Sequence, residues 1–241
     1  MNSQAAGIAS RYLEGDYLAA NPDWHEDDAA WKVQQVRRLF ARNRIAVGSY
    51  CDIGCGTGLC TQLLRDVFQG AEADGYEFSP QAHALAQKRA APGLRFHNGS
   101  PFDETGTFDL ALALDVVEHV ENAFDFIRGM ARVGRHILLH IPLDMNALAV
   151  LREWPILAAR RDVGHIHYFT RGTAIALLRD CGLEIVDELY TPWAIDQSDK
   201  SWKKRLAAWP RRLAFAAAPH VTVRAIGGWS LLVLARPSVA T

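Results

Sequence analysis

Three short stretches carry side chains able to move protons or hold an ion. "DVVEH" places Asp115, Glu118 and His119 at i, i+3 and i+4, a spacing that one helical turn brings to one side. "GHIHYFT" supplies His165, His167 and Tyr168, and "HILLHIP" supplies His140. Imidazole is the natural general base near neutral pH, so Glu118, His119, His165, His167 and Tyr168 are the catalytic candidates. The oxygen and imidazole donors of Asp115, Glu118 and His119 also suit a divalent ion. A polar cluster closing a pocket is the preferred reading, and no metal site is assigned.

A fourth stretch is chemically bare. "YCDIGCGTG" sets Gly54, Gly56 and Gly58 two residues apart after a short apolar run, so a ligand can lie against the main chain of the turn. A dinucleotide fingerprint would need its third glycine at Leu59, and no Lys with Ser or Thr completes a phosphate loop. The ligand therefore carries no pyrophosphate, and a nicotinamide oxidoreductase is disfavoured. Glu77 ends the next apolar run, where a carboxylate can accept both hydroxyl hydrogens of a ribose.

These residues need a frame to position them. Asp27 and Asp28 can cap a helix over 29–43 that turns Val33, Val36 and Phe40 to one face. Strands are expected at 49–53, "EADGYEF", "LRFHNG", "FDLALALDVVEH", "HILLHIP", "LEIVDELY" and "WSLLVLA". Between them fall helices from the glycine turn to Phe68 with Leu59, Leu63, Leu64 and Val67 inward, from Ser79-Pro80, over 123–133, over 145–161, and from Thr170 to Gly182. Strands alternating with helices imply right-handed crossovers and a doubly wound α/β sheet. Residues 191–227 interrupt the rhythm, and Pro210 is expected to break them into two short helices.

"YCDIGCGTG", "GYEFSP", "FDLALALDVVEHV" and "HILLHIP" resemble, in order and spacing, the successive motifs of the class I S-adenosylmethionine-dependent methyltransferases, over about 47–186. "DVVEH" is similar to the metal-binding E-x-x-E-H of ubiquinone-biosynthesis O-methyltransferases and small-RNA methyltransferases, with Asp115 for the first Glu. The resemblance implies a seven-stranded, mostly parallel Rossmann-like sheet with an antiparallel last strand, and S-adenosylmethionine as cofactor with S-adenosylhomocysteine as product. It places Asp52, Gly54, Cys55, Gly56 and Gly58 around the amino-acid end of the cofactor, Glu77 on the ribose and Phe78 near the adenine. Asp115 and Val116 belong to the same cofactor set. Asn98, Gly99 and Ser100 stand where the family often has Gly-Asp, so Ser100 or Asp103 must replace that acid. An N/D-P-P-Y/F motif after the fourth strand is missing, which disfavours amide or adenine nitrogen and leaves oxygen as the expected acceptor atom.

The 241 residues, 49% hydrophobic and 22% charged, are enough for one domain. Within it we expect a lid or helix over 1–46, a cofactor-binding core over 47–190, a basic aromatic insertion over 191–227, and a last strand with its tail over 228–241. In the lid, Tyr17 and His25 are candidate site neighbours, whereas core packing of the first helix explains Trp31 equally well. From Lys200 onward there are eight Lys or Arg and no acid, against 18 basic and 27 acidic residues before it. Beside Trp202, Leu206, Trp209 and Phe215 these cations make peripheral contact with an anionic membrane through 200–215 one reading, and a cover for the sheet the other. The overall balance disfavours nucleic acid. Neither a secretory signal nor a membrane span is evident, so a cytoplasmic location is expected. Methyl transfer to a small-molecule or glycan acceptor is the leading reading. The alternative is a catalytically silent cofactor-binding module that docks a membrane or protein partner through its basic segment.

Overall fold

A computed structural model of the chain describes residues 26–103, 107–196 and 202–238. Seven strands form one sheet: β1 (Ser49–Ile53), β2 (Glu72–Glu77), β3 (Leu94–Asn98), β4 (Phe108–Leu114), β5 (Gly134–Pro142), β6 (Leu183–Thr191) and β7 (Ser230–Pro237). Their order is β3-β2-β1-β4-β5-β7-β6. The first five run parallel, and β7 is antiparallel to both β5 and β6. The strand order reverses between β1 and β4, so a crevice opens beyond their carboxyl ends.

Apolar side chains fill both faces. Leu110, Ala111, Leu112 and Ala113 in β4 are fully buried, as are Ile137 and Leu138 in β5. Alternate residues of each central strand feed two separate clusters, one around Ile127, Met130 and Leu139, the other around Val36, Tyr50 and Leu64. This is why those strands read as continuous apolar runs rather than alternating ones.

Ten helices are described: α1 (Ala29–Asn43), α2 (Leu59–Leu64), α3 (Pro80–Ala86), α4 (Ala123–Val133), α5 (Ala147–Arg152), α6 (Trp154–Asp162), α7 (Arg171–Asp180), α8 (Trp193–Asp196), α9 (Trp202–Ala217) and α10 (Pro219–Ile226). Helix α1 buries the expected Val33, Val36 and Phe40. Asp28 occupies its N-cap but makes no capping bond; it pairs with Lys32 instead. Ser79 caps α3, and Thr170 and Thr173 form a reciprocal capping box on α7.

Three expectations need correction. The helix after the glycine turn ends at Leu64, and Thr61, Leu64 and Phe68 face inward while Leu59, Leu63 and Val67 are only partly covered. The span expected as one helix over 145–161 is α5 and α6, broken at Glu153 (φ 58, ψ −45) just before Pro155. Pro210 does not break the insertion: α9 runs through it, and the break falls at Ala218, before Pro219. A proline removes one backbone donor and need not end a helix that has packing on either side. Among the described residues no helix is long and apolar enough to cross a membrane.

Gly58 begins α2 at φ +79, and a Cβ there would stand 2.5 Å from the Phe96 ring. Gly58→Ala is therefore expected to cost roughly 2–4 kcal/mol of stability through strain and overpacking. Urea denaturation would read this as a lower midpoint with an unchanged slope.

Candidate functional site

The crevice holds a cavity of about 1030 Å³. Its first wall is the glycine turn. The Gly54 and Cys55 amides donate to the Tyr76 carbonyl at 2.8 and 3.1 Å, tying the turn to β2. The Glu77 carboxylate then takes the Gly56 amide on one oxygen and the Ser79 amide on the other, both at 2.8 Å. Burial pushes Glu77 above the usual carboxylate range, and these amides oppose that shift by favouring the charged form. A Cβ on Gly56 (φ +57) would meet nothing within 4 Å, so the turn faces open space there. Phe78, 57% exposed, lines the same end with Gly99 and Ser100.

Asp52 is buried under this wall and accepts a hydrogen bond from the Thr61 hydroxyl at 2.7 Å. Burial pushes its pKa up to about 6, against the lowering effects of Thr61 and Lys32.

The second wall comes from the ends of β4 and β5. Asp115 sits at φ 58, a conformation costly for a residue with a Cβ, and its carboxylate contacts His140 Nδ1 at 2.5 Å and Lys32 Nζ at 2.8 Å. Burial alone would raise its pKa; the charges of His140 and Lys32 outweigh that and hold it well below the usual range. Lys32, from α1, also reaches Asp28 at 3.3 Å, and His140 Nε2 meets the Thr191 hydroxyl at 2.8 Å. Trp31 donates its indole N–H to Asp196 at 2.9 Å, so α1 is fastened at two points over the crevice.

A third group lies beside these. Glu118 is fully buried, and among the described residues neither of its oxygens has a hydrogen-bond partner. His119 Nε2 and His165 Nε2 approach one of them at 3.8 and 3.9 Å. Each ring is held by its other nitrogen. His119 Nδ1 faces the Gly164 carbonyl at 3.2 Å, and His165 Nδ1 faces Asp144 at 2.6 Å. An oxygen of this kind only accepts, so Nδ1 carries the hydrogen in both rings and each Nε2 is turned toward Glu118. Two ring nitrogens and a carboxyl thus converge, their ligand atoms within 4.8 Å of one another, and burial pushes Glu118 well above the usual carboxylate range. That donor set fits a divalent cation, with Asp144 and Gly164 orienting the imidazoles. Asp115, expected with Glu118 and His119, is instead committed to His140 and Lys32, and His165 takes its place.

The structure brings Asp52, Gly54, Cys55, Gly56, Glu77, Phe78, Gly99, Ser100, Asp115 and Val116 to the cavity, together with Glu118, His119, His140 and His165. It does not bring Gly58, Asn98, His167 or Tyr168 to its lining. Gly58 faces Phe96, and Asn98 braces the Glu77 and Phe78 carbonyls. His167 donates to the Val120 carbonyl and Tyr168 to the His165 carbonyl, so both shape the loop that carries His165. Asp103 is likewise outside the lining, whereas Trp31 is within it. Tyr17 and His25 lie outside the described residues. Lys32 and Asp144 escaped the sequence reading; the Asp28–Lys32 spacing of i, i+4 was the available signal for the first, and nothing local marks the second.

Residues 24–188 match the family model described as a methyltransferase domain. The chain belongs to the class I S-adenosylmethionine-dependent methyltransferases. A ubiquinone biosynthesis O-methyltransferase of Xanthomonas oryzae pv. oryzae is 24% identical over 217 residues, covering 80% of this chain and 90% of that protein. Norajmaline N-methyltransferase of Rauvolfia serpentina is 37% identical over 92 residues, 34% of this chain and 31% of that protein, so the chain spans under a third of that relative's length. Magnesium protoporphyrin IX methyltransferase from Synechocystis PCC 6803, solved with bound S-adenosylhomocysteine, superposes with a TM-score of 0.58 at 20% identity, covering 86% of this chain and 83% of that one.

For a methyltransferase with this turn, Gly56→Ala separates folding from binding. The methyl group meets no protein atom, so the cost to stability is only the backbone strain, about 1–2 kcal/mol. It projects into ligand space, and calorimetry should show S-adenosylhomocysteine affinity reduced at least about tenfold, more than 1.4 kcal/mol.

Proposed function

We propose that this chain transfers the methyl group of S-adenosylmethionine to an oxygen of a small-molecule acceptor. The observation that carries the reading is the placement of the Gly56–Glu77 wall and the Glu118, His119 and His165 trio on one cavity. The nucleoside lies against the turn, with its ribose hydroxyls donating to the free lone pairs of Glu77 and its adenine near Phe78. The charged amino-acid and sulfonium end reaches Asp52 and the β4 end, where Asp115 holds a negative charge.

Methyl transfer from a sulfonium is an in-line displacement. The chain's main contribution is to hold acceptor and cofactor in line and to keep water out. An acceptor hydroxyl must also lose its proton, and His119 and His165 each present an Nε2 lone pair able to receive it. In a metal-bound form the same two Nε2 atoms and Glu118 would instead hold a divalent cation, which would act as a Lewis acid on the acceptor oxygen and make its hydroxyl more acidic. A bare sugar acceptor has less support than one with an apolar body, because Leu143, Leu148, Pro155 and Trp229 line the same cavity.

His165→Ala and Glu118→Gln are expected to lower kcat by about 10²–10⁴ while leaving S-adenosylhomocysteine affinity within about twofold. Equal loss of affinity and turnover would remove the trio from the acceptor step. Dialysis against EDTA, followed by Mg, Mn or Zn, should abolish and then restore turnover if the trio acts through a cation.

Asp52 gives a pH dependence. Its folded pKa is raised above the ordinary 3.8 to about 6, so the free protein gains stability as pH falls through 6 toward 4. The carboxylate charge facing a cationic cofactor is lost over the same window. The dissociation constant of S-adenosylmethionine is therefore expected to rise several-fold from pH 7.5 to 5, and Asp52→Asn should flatten that profile, both read by calorimetry.

A further inference from the structure

We propose that the acceptor is an anionic amphiphile, its apolar body lying between α5, α6 and α10 and its anionic group received by Arg152 and Arg211. This rests on the methyl-transfer reading and names the substrate class of the same cavity.

The charges on the cavity wall are mostly committed. Glu26 pairs with Arg89, Asp28 and Asp115 with Lys32, and Asp144 with His165, while Glu77 holds two backbone amides. Arg152 at the end of α5 and Arg211 on α9 also line the cavity, and neither makes an ion pair or hydrogen bond among the described residues. Among the acids of the lining, Asp52 takes the Thr61 hydroxyl, Glu118 belongs to the buried trio, and Glu121, on the loop after β4, is exposed. Trp229, also in the lining, is buried with an indole N–H that has no partner. Arg152, Arg211 and the Trp229 indole are therefore donors that an acceptor-only group such as a carboxylate or phosphate satisfies, while the acceptor atoms of the trio are left for a hydroxyl.

The surface around the cations is apolar where an aqueous metabolite would need none. Trp154 (62% exposed) and Trp193 (43%) line the cavity while open to solvent, and Leu151 of α5 and Leu157 of α6 are exposed as well. No residue of α6 is buried, so this helix takes no part in the core. A ligand with a chain or fused apolar body would cover that surface, with its polar end at Arg152 and Arg211 and its hydroxyl at Glu118, His119 and His165. The same chemistry could reach the site as a free molecule or as a component of an anionic lipid surface.

The test uses the full chain saturated with S-adenosylhomocysteine. Decyl phosphate, decyl glucoside and decyltrimethylammonium are titrated below their micellar concentrations, with tryptophan fluorescence as readout. Decyl phosphate should bind at least about tenfold more tightly than the glucoside, and the ammonium compound most weakly. The double variant Arg152→Gln, Arg211→Gln should lose that preference with S-adenosylhomocysteine affinity intact, and Trp154→Ala should weaken the phosphate and the glucoside alike. Equal affinity for all three amphiphiles, or a preference that survives the double variant, would overturn the proposal. Pelleting with phosphatidylglycerol vesicles together with decyl phosphate binding supports presentation from a lipid surface, and decyl phosphate binding alone supports a free acceptor. Pelleting with no binding of the monomeric phosphate would overturn the cavity assignment. Failure to bind S-adenosylhomocysteine at all would count against the methyl-transfer reading instead, which keeps the two claims separable.

Discussion

A carboxylate that gives both its oxygens to main-chain amides organises this molecule. Glu77 can accept from Gly56 and Ser79 only if the turn after β1 passes close beside the end of β2, and the turn packs so that a Cβ at Gly54 would meet Val116 and one at Gly58 would meet Phe96. Cys55 and Gly54 reinforce it through the Tyr76 carbonyl, and Phe96 closes on Gly58 from behind. The result is a rigid concave edge with a buried acid whose remaining lone pairs face the cavity. Strand order places the β4 end beside it, so a nucleoside seated on the one surface has its tail at the other.

Electrostatics at the β4 end is built by exchange between distant elements. Asp115 occupies a left-handed conformation that would be costly alone, and the contacts to His140 and Lys32 hold it there. Because Lys32 belongs to α1, the same ion pair fastens that helix across the crevice. Glu118 is the opposite case: a buried carboxyl, pushed well above the usual range by burial, that faces the Nε2 atoms of two imidazoles. Such an arrangement is costly in an empty cavity and becomes favourable when a proton or a cation arrives. Stability is spent where function needs a poised group.

Much of this was legible because it is local. The β4 run, the Ser79-Pro80 helix start, the Thr170 cap and the glycine turn each depend on a handful of neighbouring residues, and Glu77 follows from its place at a strand end. The trio was only half legible. The i, i+3, i+4 spacing suggested Asp115 with Glu118 and His119, but the backbone at Asp115 leaves the helical region and sends its side chain to His140. His165 arrives from a loop far along the chain, positioned by Asp144, His167 and Tyr168, and no short-range pattern records that meeting. Pro210 misled for a related reason, since the end of α9 is set by the turn at Ala218 and by Pro219.

The central claim is that the bare turn and Glu77 are shaped for a nucleoside with an amino-acid tail. Isothermal titration of the full chain with S-adenosylhomocysteine and, separately, with NAD tests it most directly. The structure predicts saturable heat with the first and none with the second. Heat with NAD and none with S-adenosylhomocysteine would contradict the account.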